Sequence, residues 1–209
     1  MAKEKYMPKK IIGDVNLSDL YLKQLPEILK DVSIDGHFFC SNNQLTSLVG
    51  APKTVGGDFD CSDNKLTSLE GAPQNVSSFN CSNNKLASLV GVPKSVSGHF
   101  DCSNNYLTTL EGVPQNVESV DCRNNNLTSL KGSPTSTVNS FDCNNNKLTS
   151  LVGSPQNVDN DFNCSYNNLT SLDGAPKTVG GDFYCDNSTV QFTEAQVRAL
   201  CDVKGDVYV

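Results

Sequence analysis

Eight of the nine cysteines fall at positions 40, 61, 81, 102, 122, 143, 164 and 185, so that consecutive ones are 20 or 21 residues apart. Framework cysteines in small secreted domains are not evenly spaced, and zinc sites need ligand pairs about two to four residues apart. A cysteine that recurs at a fixed interval is a structural position in a repeat. A period of ~20 residues means stacked units, not a chain folded back on itself.

The remaining positions fall into register with the cysteine. Two residues before it stand Phe38, Phe59, Phe79, Phe100, Val120, Phe141, Phe162 and Phe183. Three after it stand Asn43, Asn64, Asn84, Asn105, Asn125, Asn146 and Asn167. Leucines follow at the fifth and eighth places (Leu45 and Leu48 in the first full unit), then a Gly, a Pro and a closing Val (Gly50, Pro52, Val55). Residues at i and i+2 of a strand share a face, so Phe and Cys enter a core while their neighbours meet solvent. The return leg between the second Leu and the next Phe carries Gly and Pro, which excludes a helix there. A buried Asn must satisfy its amide, and stacking allows it to bond backbone groups of its own and the adjacent coil.

Written as V-x-x-(x)-F-x-C-x-x-N-x-L-x-x-L-x-G-x-P, the unit resembles the leucine-rich repeat. Phe and Cys take the places of the two strand leucines, and Asn with the following Leu matches the family's N-x-L. The likeness covers residues 20 to 192, with seven full copies, and its short period is similar to bacterial and phage-encoded repeats. It implies a β-rich solenoid: a right-handed coil with a parallel sheet on the concave face, a non-helical convex side and a short C-terminal capping helix. Residues 1–13 then read as a basic N-terminal tail, 14–37 as an N-terminal cap and degenerate first repeat, 38–192 as the solenoid and 193–209 as a C-terminal cap of helix plus strand. Thr193 and Gln196 form a capping-box pattern for that helix, whose apolar positions are Ala195, Val197, Leu200 and Cys201. With both ends capped, the sequence reads as a complete protein and as a monomer in preference to an oligomer.

Stacking sorts the remaining residues into rows on the exposed sheet face. The row between Phe and Cys includes Phe39, Asp60, Asp101, Asp121, Asp142 and Tyr184, and the row before Phe includes His37, Asp58, His99, Asp161 and Asp182. Arg123 and Tyr166 lie just beyond the Cys, while lysines such as Lys65, Lys94 and Lys177 fall on the rims. Like charges placed side by side across a sheet destabilise it, so Asp101, Asp121 and Asp142 suggest a cationic counterpart. Three explanations stay open: a basic protein partner, a bound divalent cation, or a merely solvated polar face that Arg123 partly neutralises. The residues assigned to partner binding are Asp58, Asp60, His99, Asp101, Asp121, Arg123, Asp142, Asp161, Tyr166, Asp182 and Tyr184.

A net charge of -7 argues against nucleic acid or an anionic membrane as the main partner. No apolar run of about 18 residues is present, and the lysines near the start precede no apolar segment of a secretory signal. So many free thiols imply a reducing compartment, hence a cytoplasmic location. No nucleophile–base pair, phosphate loop or metal-ligand cluster is evident, so no catalytic residue, metal or cofactor is assigned. The expectation is a non-catalytic protein-binding module; the resemblance implies a bacterial or phage product that occupies a host protein. The alternatives are polysaccharide hydrolysis by the Asp101, Asp121 and Asp142 carboxylates and divalent-cation binding.

Overall fold

The computed structural model describes residues 10–135 and 138–209; residues 1–9 of the expected N-terminal tail lie outside that range. The strand positions of the repeat build one parallel sheet of ten short strands. In chain order these are Val15–Asn16, Phe38–Phe39, Phe59–Asp60, Phe79–Asn80, His99–Asp101, Ser119–Asp121, Ser140–Asp142, Phe162–Asn163, Phe183–Tyr184 and Val207–Tyr208. Each pairs with its predecessor one coil earlier, Phe on Phe and row on row. The return legs form a second column of short parallel pairings centred on the closing valines, from Lys10–Ile11 on Ser33–Ile34 to Thr178–Val179 on Asp202–Val203.

Between the two columns lies one continuous core. Phe, Cys and both Leu positions of the interior coils are buried. The phenyl rings stack along the axis, with centroids 5.2 Å apart for Phe38 and Phe59 and 5.6 Å for Phe59 and Phe79. Val120 interrupts this stack between Phe100 and Phe141.

The recurrence of the asparagine in seven coils, Asn43 to Asn167, follows from its hydrogen bonds. Asn64 Nδ2 donates to the carbonyls of Cys40 (3.0 Å), Cys61 (3.2 Å) and Ser62 (2.9 Å), and its Oδ1 accepts the Leu45 N–H at 2.9 Å. One side chain thereby satisfies four backbone groups in two coils, where irregular backbone is buried and no strand partner is available. The glycine after the second Leu answers to two constraints together. Gly132 has φ +96°, and a Cβ there would lie 2.4 Å from the Leu110 carbonyl.

At the C-terminal end, helix Glu194–Leu200 carries the expected capping box: Thr193 Oγ1 accepts the Gln196 N–H and the Gln196 side chain accepts the Thr193 N–H. Only Val197 of the helix is buried, together with Cys201 at its end. Leu200 and Ala195, the other two apolar positions, are exposed, because a helix of two turns lying on the stack turns only one i, i+4 stripe toward it.

Candidate interaction face

The outward side chains of the ten strands form one face, and every residue predicted for partner binding lies on it or at its margin. Asp101, Asp121 and Asp142 are brought into register on three adjacent strands. Asp58, His99, Asp161 and Asp182 share the row before the Phe, and Asp60 and Tyr184 share the row of Asp121.

The first row has a local structural task that sequence reasoning missed. The Oδ1 of each Asp or Asn in it accepts the N–H two residues on, closing the turn by which the chain leaves the strand. The distances are 2.9 Å for Asp60 to Ser62, 3.0 Å for Asn80 to Ser82, 2.9 Å for Asp101 to Ser103, 3.1 Å for Asp121 to Arg123 and 3.0 Å for Asp142 to Asn144. These are Asx-type turns, which need an acceptor oxygen but no charge. Asn80 and Asn163 serve equally well.

The row before the Phe runs a different ladder along the axis, in which several side chains take the N–H of the equivalent residue in the next coil. Asp14 accepts from His37 (2.8 Å), His37 Nδ1 from Asp58 (3.0 Å), Asp58 from Ser78 (2.9 Å), Asp161 from Asp182 (2.8 Å) and Asp182 from Asp206 (2.8 Å).

Electrostatic strain concentrates at the centre. The Asp121 side chain is only 14% exposed, and Arg123 Nε lies 3.3 Å from its Oδ2. Burial, and next the charge of Asp101, push its carboxyl up to about 6; the Arg123 N–H and guanidinium oppose the shift. Asp142 moves in the same direction, chiefly through burial.

The aromatic residues divide. Tyr184 stacks on Tyr208 with centroids 4.6 Å apart and an interplanar angle of 3°, and its hydroxyl donates to Asp182 Oδ2 at 3.0 Å. Tyr208 was missed in the sequence, although Asp206 to Val209 repeats the spacing of Asp182 to Cys185. Tyr166 is 58% exposed and occupies a left-handed turn position, φ +53°, held elsewhere by Asn42, Asp63, Asn83, Asn104, Asn124 and Asn145. Phe39 lies against His37, centroids 5.7 Å apart.

All nine thiols are free and buried, the eight of the repeat beneath the face and Cys201 at the end of the C-terminal helix. Several donate to the carbonyl of the next coil, Cys61 to Asn80 and Cys81 to Asp101 at 3.3 Å each. Burial raises the pKa of each thiol, to about 11 for Cys185 and Cys201. Among the described residues no group of three His, Cys, Asp or Glu side chains is placed to hold a metal ion, and no helix is long and apolar enough to cross a membrane.

Solved structures share this architecture. YopM, a leucine-rich effector protein from Yersinia pestis, matches with TM-score 0.63 and 24% identity over 84% of this chain and 49% of its own. The leucine-rich-repeat domain of APL1B matches with TM-score 0.59 and 21% identity, over 79% of this chain and 52% of its own. The chain is a leucine-rich-repeat solenoid. It spans about half the length of the leucine-rich-repeat structures it matches. YopM from Yersinia enterocolitica WA-314 is similar at TM-score 0.50 and 21% identity, covering 84% of this chain and 47% of its own. No protein-family model matches the chain, and no curated protein matches it significantly. The leucine-rich-repeat unit here differs from the family pattern chiefly in its strand cysteines, whose small side chains fill the wall behind the acidic row.

Proposed function

We propose that this leucine-rich-repeat solenoid binds a protein partner through its sheet face, that the partner surface is basic, and that no chemistry is performed on it. The observation that carries this reading is the choice of Asp over Asn at three adjacent strands. The turn at positions 101, 121 and 142 needs only an acceptor oxygen, which Asn80 and Asn163 supply without charge. Placing carboxylates there instead brings like charges together in a partly desolvated row, which destabilises the free protein. A cationic surface seated on the row would relieve that penalty. Asp58, Asp60, Asp161 and Asp182 extend the negative field on both sides, His99 lies in the row before the Phe, and Tyr166 and Tyr184 offer aromatic area at one end. The short repeat and the buried thiols support a bacterial or phage product working in the cytoplasm, where it occupies a host protein.

The test uses Asn, which keeps the turn and removes the charge. The triple variant Asp101→Asn, Asp121→Asn, Asp142→Asn should keep the fold and lose partner capture from bacterial lysate, and capture by the parent should fall with added salt. A triple variant that retains the partner would overturn the reading.

One observation favours a hydrolytic alternative. A carboxyl titrating near 6 between two further carboxylates is suited to a general acid, which Asp121 could be for a polysaccharide. Hydrolysis of a polysaccharide panel that disappears in Asp121→Asn would support it; an inactive parent would remove it.

A further inference from the structure

We propose that a basic stripe along one flank of the solenoid binds an acidic polysaccharide, a chain in which uronates are spaced by neutral sugars, laid parallel to the solenoid axis. The stripe is the segment from the fourth to the eighth residue after each strand cysteine. It runs from Gln44–Leu48 in the first full coil to Asn168–Leu172 in the seventh, and none of the seven segments holds an Asp or Glu. That exclusion is selective, because the chain as a whole carries 23 acidic residues against 16 Lys and Arg.

Backbone bonds hold the stripe in register. The Lys65 N–H donates to the Leu45 carbonyl (2.9 Å), Lys85 to Leu66 (2.9 Å) and Tyr106 to Leu86 (2.8 Å), and Asn126 and Lys147 continue the row on Leu107 and Leu127. The two leucines of each segment are buried, which turns the row members and the residue between the leucines outward. The row advances one coil at a time, so Lys65 to Lys147 spans four coils, ~19 Å at the spacing of hydrogen-bonded strands. Lys65, Lys85 and Lys147 are exposed and, unlike Lys10, Lys131 and Lys204, form no ion pair among the described residues. Tyr106, between them, is 57% exposed. Beside this row lies a second one of exposed hydroxyls, Thr67, Thr108, Thr128 and Thr149. Thr170 alone among the threonines of that row donates its hydroxyl to the protein within the described residues, to the Thr149 carbonyl.

The chemistry of the stripe selects its occupant. Lys65 and Lys85 stand side by side without a counter-charge, an arrangement that destabilises the free protein and that an anion relieves. Beyond them the cations are interrupted by a phenol ring and an amide, and the hydroxyl row runs alongside. The matching ligand therefore carries intermittent negative charge among many hydroxyl groups. A uronate-bearing sugar chain has that composition: its carboxylates meet the lysines, the Tyr106 ring covers the C–H face of a sugar, and Asn126 and the threonines bond sugar hydroxyls. An extended sugar chain also advances by nearly one coil per residue, so successive sugars meet successive coils. A nucleic acid, charged at every residue, meets stronger repulsion from the net charge of -7 than a polymer charged at every second one. A membrane offers a plane, whereas the stripe is two side chains wide. An acidic peptide matches the lysines and leaves the hydroxyl row without partners.

Isothermal titration of the full chain with hyaluronate oligosaccharides, in which glucuronate alternates with neutral N-acetylglucosamine, tests this. A Kd between ~1 μM and ~1 mM is expected, weakening as salt is added. Neutral dextran, an oligo-glutamate peptide and a single-stranded oligonucleotide of matched length should each bind about tenfold more weakly or not at all. The substitutions come from the same row, so that the coil is kept. Lys65→Gln with Lys85→Gln, which installs the residue of Gln44, should lower affinity about tenfold or more and flatten the salt dependence. Tyr106→Asn, which installs the residue of Asn126, should lower it about threefold or more with the salt dependence unchanged. Thermal unfolding like that of the parent separates these losses from misfolding. Absence of binding at ~1 mM oligosaccharide, equal or tighter binding of the peptide or the oligonucleotide, or an affinity indifferent to both variants overturns the proposal. The triple Asn variant of the sheet face should bind the oligosaccharide no more weakly than the parent, which keeps this result independent of partner binding.

Discussion

Asp121 stands in register with Asp101 on the neighbouring strand, and its own burial and that neighbour hold its carboxyl near 6. An acid whose pKa is raised by folding binds its proton more tightly in the folded state, so stability grows as pH falls from about 6 toward the unfolded value near 4 and is lost as pH rises through that window. Asp121→Asn keeps the acceptor for the Arg123 N–H and removes the charge. It should stabilise the fold at pH 7 by on the order of 2 kcal/mol. The gain should vanish by about pH 4. Thermal melts of both proteins across that range check the sign.

Asn105 is the middle of the buried amide ladder. Its Nδ2 serves the carbonyls of Cys81, Cys102 and Ser103, and its Oδ1 takes the Leu86 N–H. Asn105→Ala strands those groups in the core, and a loss of about 3 kcal/mol or more is expected from their desolvation. Urea unfolding measures it. Asn105→Asp should also destabilise, since a carboxylate can accept from Leu86 but cannot donate to three carbonyls.

The thiols should be chemically silent while the protein is folded. Burial holds them far above neutral pKa values, so iodoacetamide at pH 7.5 should label none in the native protein and all nine in denaturant. As denaturant rises, Cys185 and Cys201 should react first, because their pKa values reach only about 11 and they lie in the last coils. Peptide mapping of partly labelled protein gives the order. Cys102→Leu, which restores the residue usual in the family, should destabilise by about 1–3 kcal/mol through overpacking beneath Asp101 and Asp121.

Tyr166 holds a left-handed turn without the Asn side chain suited to it, and it interrupts an outer ladder in which Asn124 Nδ2 donates to Asn104 (2.9 Å) and Asn145 Nδ2 to Asn124 (2.5 Å). Tyr166→Asn should stabilise by about 1 kcal/mol. If Tyr166 is part of the partner surface, the same change weakens capture. Melting temperature and pull-down moving in opposite directions would identify strain kept for binding.

Most of the coil was legible in the residue pattern because each repeat states it again. Phe59, Cys61, Asn64 and Leu66 enter the core and Asp60 stays outside, as alternation along a strand requires. Position 16 was not recognised as a strand residue, because Val15 and Leu17 stand where the pattern has Phe and Cys; their place appears only when Val15 is seen paired with Phe38. The row of aspartates was legible as a row but not as a set of turn acceptors. The N–H that each one takes lies two residues away, and nothing in composition or spacing distinguishes an acceptor in use from a carboxylate in water.

The interval between cysteines, with the alternation around them, was enough to determine a stack of parallel coils and the side on which each residue lies, since both follow from period and side-chain size within one repeat. How strongly Asp121 is desolvated and which backbone groups Asp14 and Asp182 serve were decided only by the tertiary structure. Those properties arise between residues about twenty places apart, and their energies depend on the distances and the solvent exclusion that stacking creates.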